Sequence, residues 1–254
     1  MFLSTTIMLG LTSHAIYVHT LAGELRPSEI VLIEISWIPI LLLSKDLKRE
    51  QRRALLVLFA AFSGYFLPRL LELLPWSILE KLFIPDALFA NFVSELLKVP
   101  VRIVVSPHYA SAFVIGYNLP AVAYLVGCST LRSIPMLVAL AIAVPGSWKR
   151  RVAAAIVGTA LSYPANTLRV LSIIEFARIF NVDLEMSHIL LSPVLTLLLV
   201  YSIMIIQDRI LEGKMTEYIE NGFEILLDYM LKPLGVGLAP SLKNTEGISY
   251  SKSQ

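Results

Sequence analysis

The chain has 254 residues, of which 56% are hydrophobic and only 16% are charged, and its mean hydropathy is +0.73. That composition excludes an ordinary soluble domain and reads as an all-α polytopic membrane protein. A formal net charge of +2 is too small to point to a nucleic-acid partner, and the single cysteine excludes an internal disulfide and a cysteine-based zinc site.

A crossing helix needs about 20 mostly apolar residues bounded by charge or turn signals. Six segments meet that description: 2–22, 28–44, 54–75, 121–146, 152–178 and 188–207. The first lacks a basic leader and a clear small-x-small cleavage site, so it reads as a retained span. KDLKREQRR follows the second span, WKRR lies between the fourth and fifth, and QDRILEGK follows the sixth. By the positive-inside rule these basic segments are cytoplasmic, which puts 23–28, 76–120 and 181–186 outside.

Within the outer stretch, WSILEKLFIPDALFANFVSELLKV has apolar residues at helical spacing with polar ones interleaved. It reads as an amphipathic helix on the outer leaflet, broken at Pro85. VRIVVSPHYASAFVIGY then suggests a short extracellular hairpin, β-branched residues flanking a Ser-Pro turn signal. The chain reads as one transmembrane domain over 1–207 with a cytoplasmic tail over 208–254. In that tail Ile219, Phe223, Leu226, Leu227, Met230 and Leu231 mark one apolar helix face, and the composition of the last dozen residues reads as disordered.

Helical rise converts these spans into depths. At about 1.5 Å per residue through a core about 30 Å thick, counting back from Pro145 puts the outer boundary near Leu125 or Val126, with Cys128 just inside it. Counting forward from Val152 ends near Leu171 and puts Arg169 at a similar level, and counting back from Gln207 puts His188 there too. Singly, each has a plainer reading: a cysteine as a small hydrophobe, an arginine snorkelling to headgroups, a histidine at a helix start. A thiol, a guanidinium and an imidazole in one plane, with Asn166 one turn before Arg169, favour a nucleophilic site.

GCSTLRS around Cys128, PANTLRV around Arg169 and the late His188, in that order in a multi-span chain, resemble the exosortase and archaeosortase family of membrane-embedded cysteine transpeptidases. The likeness covers roughly residues 54–207 and includes the serine after the cysteine, Ser129. Thr130 stands where many relatives carry glycine, and His188 is closer to the exosortase arrangement than to archaeal branches with a third arginine. The resemblance implies cleavage of a secreted protein near its C-terminal sorting signal, which comprises a short motif, a transmembrane helix and a basic tail. The new carboxyl end would then be transferred to an acceptor, a lipid.

In that scheme Cys128 attacks as thiolate, His188 is general base and acid, and Arg169 stabilises thiolate or oxyanion with help from Asn166. No cofactor or metal is implied: His14 and His19 are five apart, and no HExxH occurs. A non-catalytic membrane scaffold or assembly factor is the alternative. Arg132, four residues beyond Cys128, is read as deeper on the same helical face, where a charge needs a partner. Glu34 of the second span matches its depth and is the expected partner, against a substrate or lipid headgroup, or snorkelling with Glu34 protonated.

Overall fold

The computed structural model describes residues 38–39, 42–43, 47–71, 74–108, 110–114, 120–123 and 129–231. The expected first span, most of the second, Glu34, Cys128 and the end of the tail lie outside these residues. The described part is mostly helical, with one small sheet.

Helix α1, Arg49–Leu71, begins inside the basic segment, with Glu50 in its first turn where the helix dipole favours an acid. Helix α2, Trp76–Leu97, follows Pro75 and runs unbroken through Pro85, contrary to the expected break. Pro85 is exposed. The backbone hydrogen bond it cannot make is therefore lost on the outer side of the helix, away from the packed side. The buried residues of α2 are Leu79, Phe83, Asp86, Ala87, Ala90 and Ser94, a face at helical spacing.

The expected hairpin is there, as part of a three-stranded antiparallel meander: β1 Val101–Val105, β2 Ala110–Val114 and β3 Pro120–Ala123. β1 alternates, with Val101 and Ile103 buried and Arg102 and Val104 exposed, so one face packs on α2. The α2 side chains also seal the β1 backbone. Asn91 Nδ2 donates to Ile103 O (2.9 Å) and Asn91 Oδ1 accepts from Ile103 N–H (2.7 Å). The Ser94 hydroxyl lies 2.7 Å from Val99 O and 2.6 Å from Val101 O, donating to one at a time. Trp76 Nε1 donates to Ser106 O at the β1–β2 turn.

Residues 121–146 do not form the expected spanning helix. Their described residues give the end of β3, a 3₁₀ turn at Thr130–Arg132, and helix α3, Ile134–Ala143, of only 10 residues. Ten residues rise about 15 Å, half a hydrocarbon core. Ser129 caps the turn by accepting from Leu131 N–H, Ser133 ends it, and Pro135 starts α3. Depth counted as continuous helix from Pro145 back to Cys128 therefore does not apply. Nor does the shared α-helical face of Cys128 and Arg132, since Arg132 ends the 3₁₀ turn.

Helix α4, Trp148–Phe180, has 33 residues and is about 50 Å long. It starts at the cap Ser147 and stops at Asn181, which takes the left-handed conformation (φ 50°). Asp183 then caps helix α5, Leu184–Ile210, accepting from Glu185 and Met186 N–H. Among the described residues α5 is the one helix long and apolar enough to cross a membrane. It carries exposed Ile189, Leu190, Val194, Leu197, Leu198 and Tyr201.

Helix α6, Lys214–Leu231, packs on α1 through Met215, Gly222, Ile225 and Leu226. The apolar face expected in the tail is thus turned: Leu226 is buried, while Phe223, Leu227 and Met230 are exposed. One core joins α2, the sheet and the C-terminal half of α4, the outer end of the bundle, and two others join α1, α3, α6, the N-terminal end of α4 and the C-terminal end of α5, the bundle's inner end. At this inner end Arg150 of α4 pairs with Glu212 after α5, and Tyr218 of α6 donates to Glu50 of α1. The three basic segments thus gather at one end of the bundle.

Candidate active site

The α4–α5 hairpin fixes the level of each candidate. Its strands of helix run antiparallel from the 181–183 turn. Deep in the bundle Gln207 is fully buried, its Nε2 donating to Ala154 O (2.9 Å) and Leu137 O (3.2 Å). Gly158 makes room for that amide: a Cβ there would come within 2.2 Å of Gln207 Nε2.

About eleven residues further out along α4, or about 16 Å, the buried guanidinium of Arg169 donates from Nη1 to Thr196 Oγ1 of α5 at 3.2 Å. Arg169 is 4% exposed and Asn166, one turn before it, 7%. A side chain of such cost is kept in a protein interior where it has hydrogen-bond acceptors and a task. Ser129, Ser133, Ser162, Ala165, Asn166, Arg169 and Thr196, with apolar Leu199, Val200 and Ile203, line one cleft between the 3₁₀ turn, α4 and α5. Ser162 faces it with its hydroxyl tied back to Gly158 O (2.8 Å).

The structure thus brings together Ser129, Asn166 and Arg169, three of the residues singled out in the sequence. Cys128 lies outside the described residues; in the sequence it immediately precedes Ser129. Arg132 follows on the same turn; Glu34 falls outside the described residues, so their pairing is not addressed by this geometry.

His188 is placed differently from the depth count. Thr196 is level with Arg169, and His188 is eight residues nearer the start of α5, about 12 Å further out. The count failed because its two starting points are not level: Gln207 bonds Ala154 O and faces Gly158, further along α4 than Val152. His188 shares a helix face with Ser192 and Thr196, and it is half-buried at the outer end.

Two participants escaped the sequence reading. Asp86 of α2 is 1% exposed, and its Oδ2 accepts from the Thr130 backbone N–H (2.9 Å) and Asn166 Nδ2 (3.4 Å). Its local signal was a carboxylate in register with Phe83, Ala90 and Ser94, the face that packs. Thr196 is the hydroxyl in an otherwise apolar run, LLLSPVLTLLLV.

No family model matches the chain, and no curated protein and no solved structure matches it.

Proposed function

We propose that the chain is a membrane-embedded cysteine transpeptidase of the exosortase and archaeosortase type. The observation that carries the reading is the cleft in which buried Arg169 and Asn166 meet Ser129, the residue that follows the sole cysteine. A buried guanidinium beside a thiol favours the thiolate, the nucleophilic form, and it can serve an oxyanion equally well. The apolar exposed side of α5 supports a place in a membrane, and the multi-pass arrangement in the plasma membrane is part of the proposal. In this reading the site opens toward the outside, α2 lies at the outer leaflet and the C-terminus is cytoplasmic.

In the proposed reaction Cys128 gives its proton to His188, which approaches from the outer side, and the thiolate adds to the scissile carbonyl of a secreted protein's sorting signal. Arg169, oriented through Thr196 and flanked by Asn166, stabilises the oxyanion from the inner side. Collapse breaks the C–N bond as His188 returns the proton to the leaving amine. A thioester remains on Cys128. An amine or hydroxyl of the acceptor, a lipid, then attacks it, His188 takes that nucleophile's proton, and the thiol is restored.

The test is co-expression with secreted proteins that end in a short motif, an apolar span and a basic tail, followed by mass measurement of their new C-termini. Wild-type protein is expected to process them. Cys128→Ala, Cys128→Ser and His188→Ala are expected to lose processing while reaching the membrane at normal abundance. Arg169→Lys is expected to fail as well, because an ammonium lacks the planar fork of donors. Processing by Cys128→Ala would remove the cysteine mechanism and leave a scaffold.

A further inference from the structure

We propose that Asp86 is the positioning residue of this site, the group that sets where the chain leaving Cys128 sits relative to Asn166 and Arg169. The inference rests on the transpeptidase reading above. One carboxylate oxygen binds two elements at once: the backbone N–H of Thr130, two residues after Cys128, and the side-chain amide of Asn166, one turn from Arg169. The bond to Thr130 holds main chain, so it fixes the path of the backbone. Its reach is long in sequence, 44 residues to Thr130 and 80 to Asn166, so the outer helix α2 acts as a strut between the nucleophile's segment and the cationic wall.

The chemistry of the position argues for geometry over bulk stability. Neighbouring Phe83, Ala87 and Ala90 already pack α2 onto the core, and an apolar residue would continue that face. A buried carboxylate costs desolvation that its hydrogen bonds offset, and an apolar replacement at this one position also leaves the Thr130 N–H and the Asn166 amide without that acceptor. What the carboxylate adds is direction. Active-site groups need placement to within about 0.5 Å, and an error of about 1 Å costs about a hundred-fold in rate.

The sign of the effect separates position from charge. Among the described side chains, Arg169 of α4 is the ionisable group that lines the cleft with the turn, and α3 carries none. Removing a negative charge from beside this cation would, by itself, make the thiol titrate at lower pH. Misplacing the thiol from Arg169 would make it titrate at higher pH.

The experiment follows iodoacetamide alkylation of the single cysteine against pH in the full chain, purified in detergent, beside the processing assay. Asp86→Asn keeps an acceptor for Thr130 N–H, and is expected to stay within about three-fold of wild type throughout. Asp86→Leu is expected to raise the alkylation midpoint by about one unit, to slow alkylation at pH 7 about ten-fold, and to lower processing about a hundred-fold at normal abundance. If Asp86→Leu does not accumulate, Asp86→Ser, whose hydroxyl is too short to reach Thr130 N–H, carries the same expectation. An unchanged or lowered midpoint in whichever variant accumulates overturns the proposal. A wild-type midpoint in the ordinary thiol range together with no processing overturns the transpeptidase reading and this inference with it. A processing wild type with an indifferent Asp86→Leu overturns this inference alone.

Discussion

Tyr218 shows how single side chains tie the inner end together. Its hydroxyl donates to Glu50 across the α1–α6 contact, and its pKa is pushed from 10.0 up to about 12, by burial first and then by the hydrogen bond and charge of Glu50, with Arg53 opposing. The folded protein therefore keeps this proton after the unfolded chain has lost it. The stabilisation is whole below pH 10 and fades as pH rises toward 12. Tyr218→Phe is expected to lose about 0.5–1 kcal/mol at neutral pH and to decline less steeply than wild type between those limits, measured by thermal unfolding in detergent at a series of pH values. Parallel declines would show that the hydroxyl does not hold Glu50. At this same scale Arg169 and Asn166 were legible in the sequence, because a charge and an amide one turn apart in an apolar helix have few other uses. Asp86 was not legible, because Thr130 and Asn166 are distant from it in sequence and its helix carries other acids, Glu80 and Glu95, that are not buried.

Among the elements, α6 lies so close to α1 that only hydrogen fits between them at Gly222. A Cβ there would stand 2.8 Å from Ala54 O and 3.0 Å from Leu58 Cβ, backbone and core that cannot yield cheaply. Gly222→Ala is expected to destabilise the protein by about 1–3 kcal/mol. Gly146→Ala, with nothing within 4 Å of the added methyl, is expected to change stability by no more than about 0.5 kcal/mol. Thermal unfolding of the two variants side by side checks the pair, and equal losses would mean that α6 does not dock in this register. Helices α4 and α5 were legible as elements from their apolar runs and charged flanks. The segment 121–146 was misread because an apolar run is common to a buried strand, a short buried helix and a membrane span. Pro120, Gly127 and Pro135, each a punctuator, were the residues that should have divided it. Pro85 misled in the opposite direction: a proline on an exposed helix side interrupts less than its presence suggests.

Taken whole, the molecule has a basic inner end and an outer cap of α2 and sheet. Helix α4 is about 50 Å long, more than a hydrocarbon core about 30 Å thick, so in the proposed reading the α4–α5 turn stands clear of the bilayer. In a Cys128→Ala background, Glu185→Cys at that turn is expected to react with a membrane-impermeant maleimide on intact cells, whereas Lys149→Cys reacts only after permeabilisation. The reverse pattern would invert the proposed orientation. The basic segments on which the proposed sidedness rests are local features, whereas the cap depends on contacts between α2 and strands that no local pattern reports. The side-chain amide of Asn91 has a further consequence. By giving and taking one hydrogen bond with Ile103 it behaves as one residue of a neighbouring strand. A lone strand edge is a template on which a second chain can polymerise; here the helix that packs on the sheet also ends its growth at β1, so the outer cap is guarded on that side against edge-to-edge aggregation.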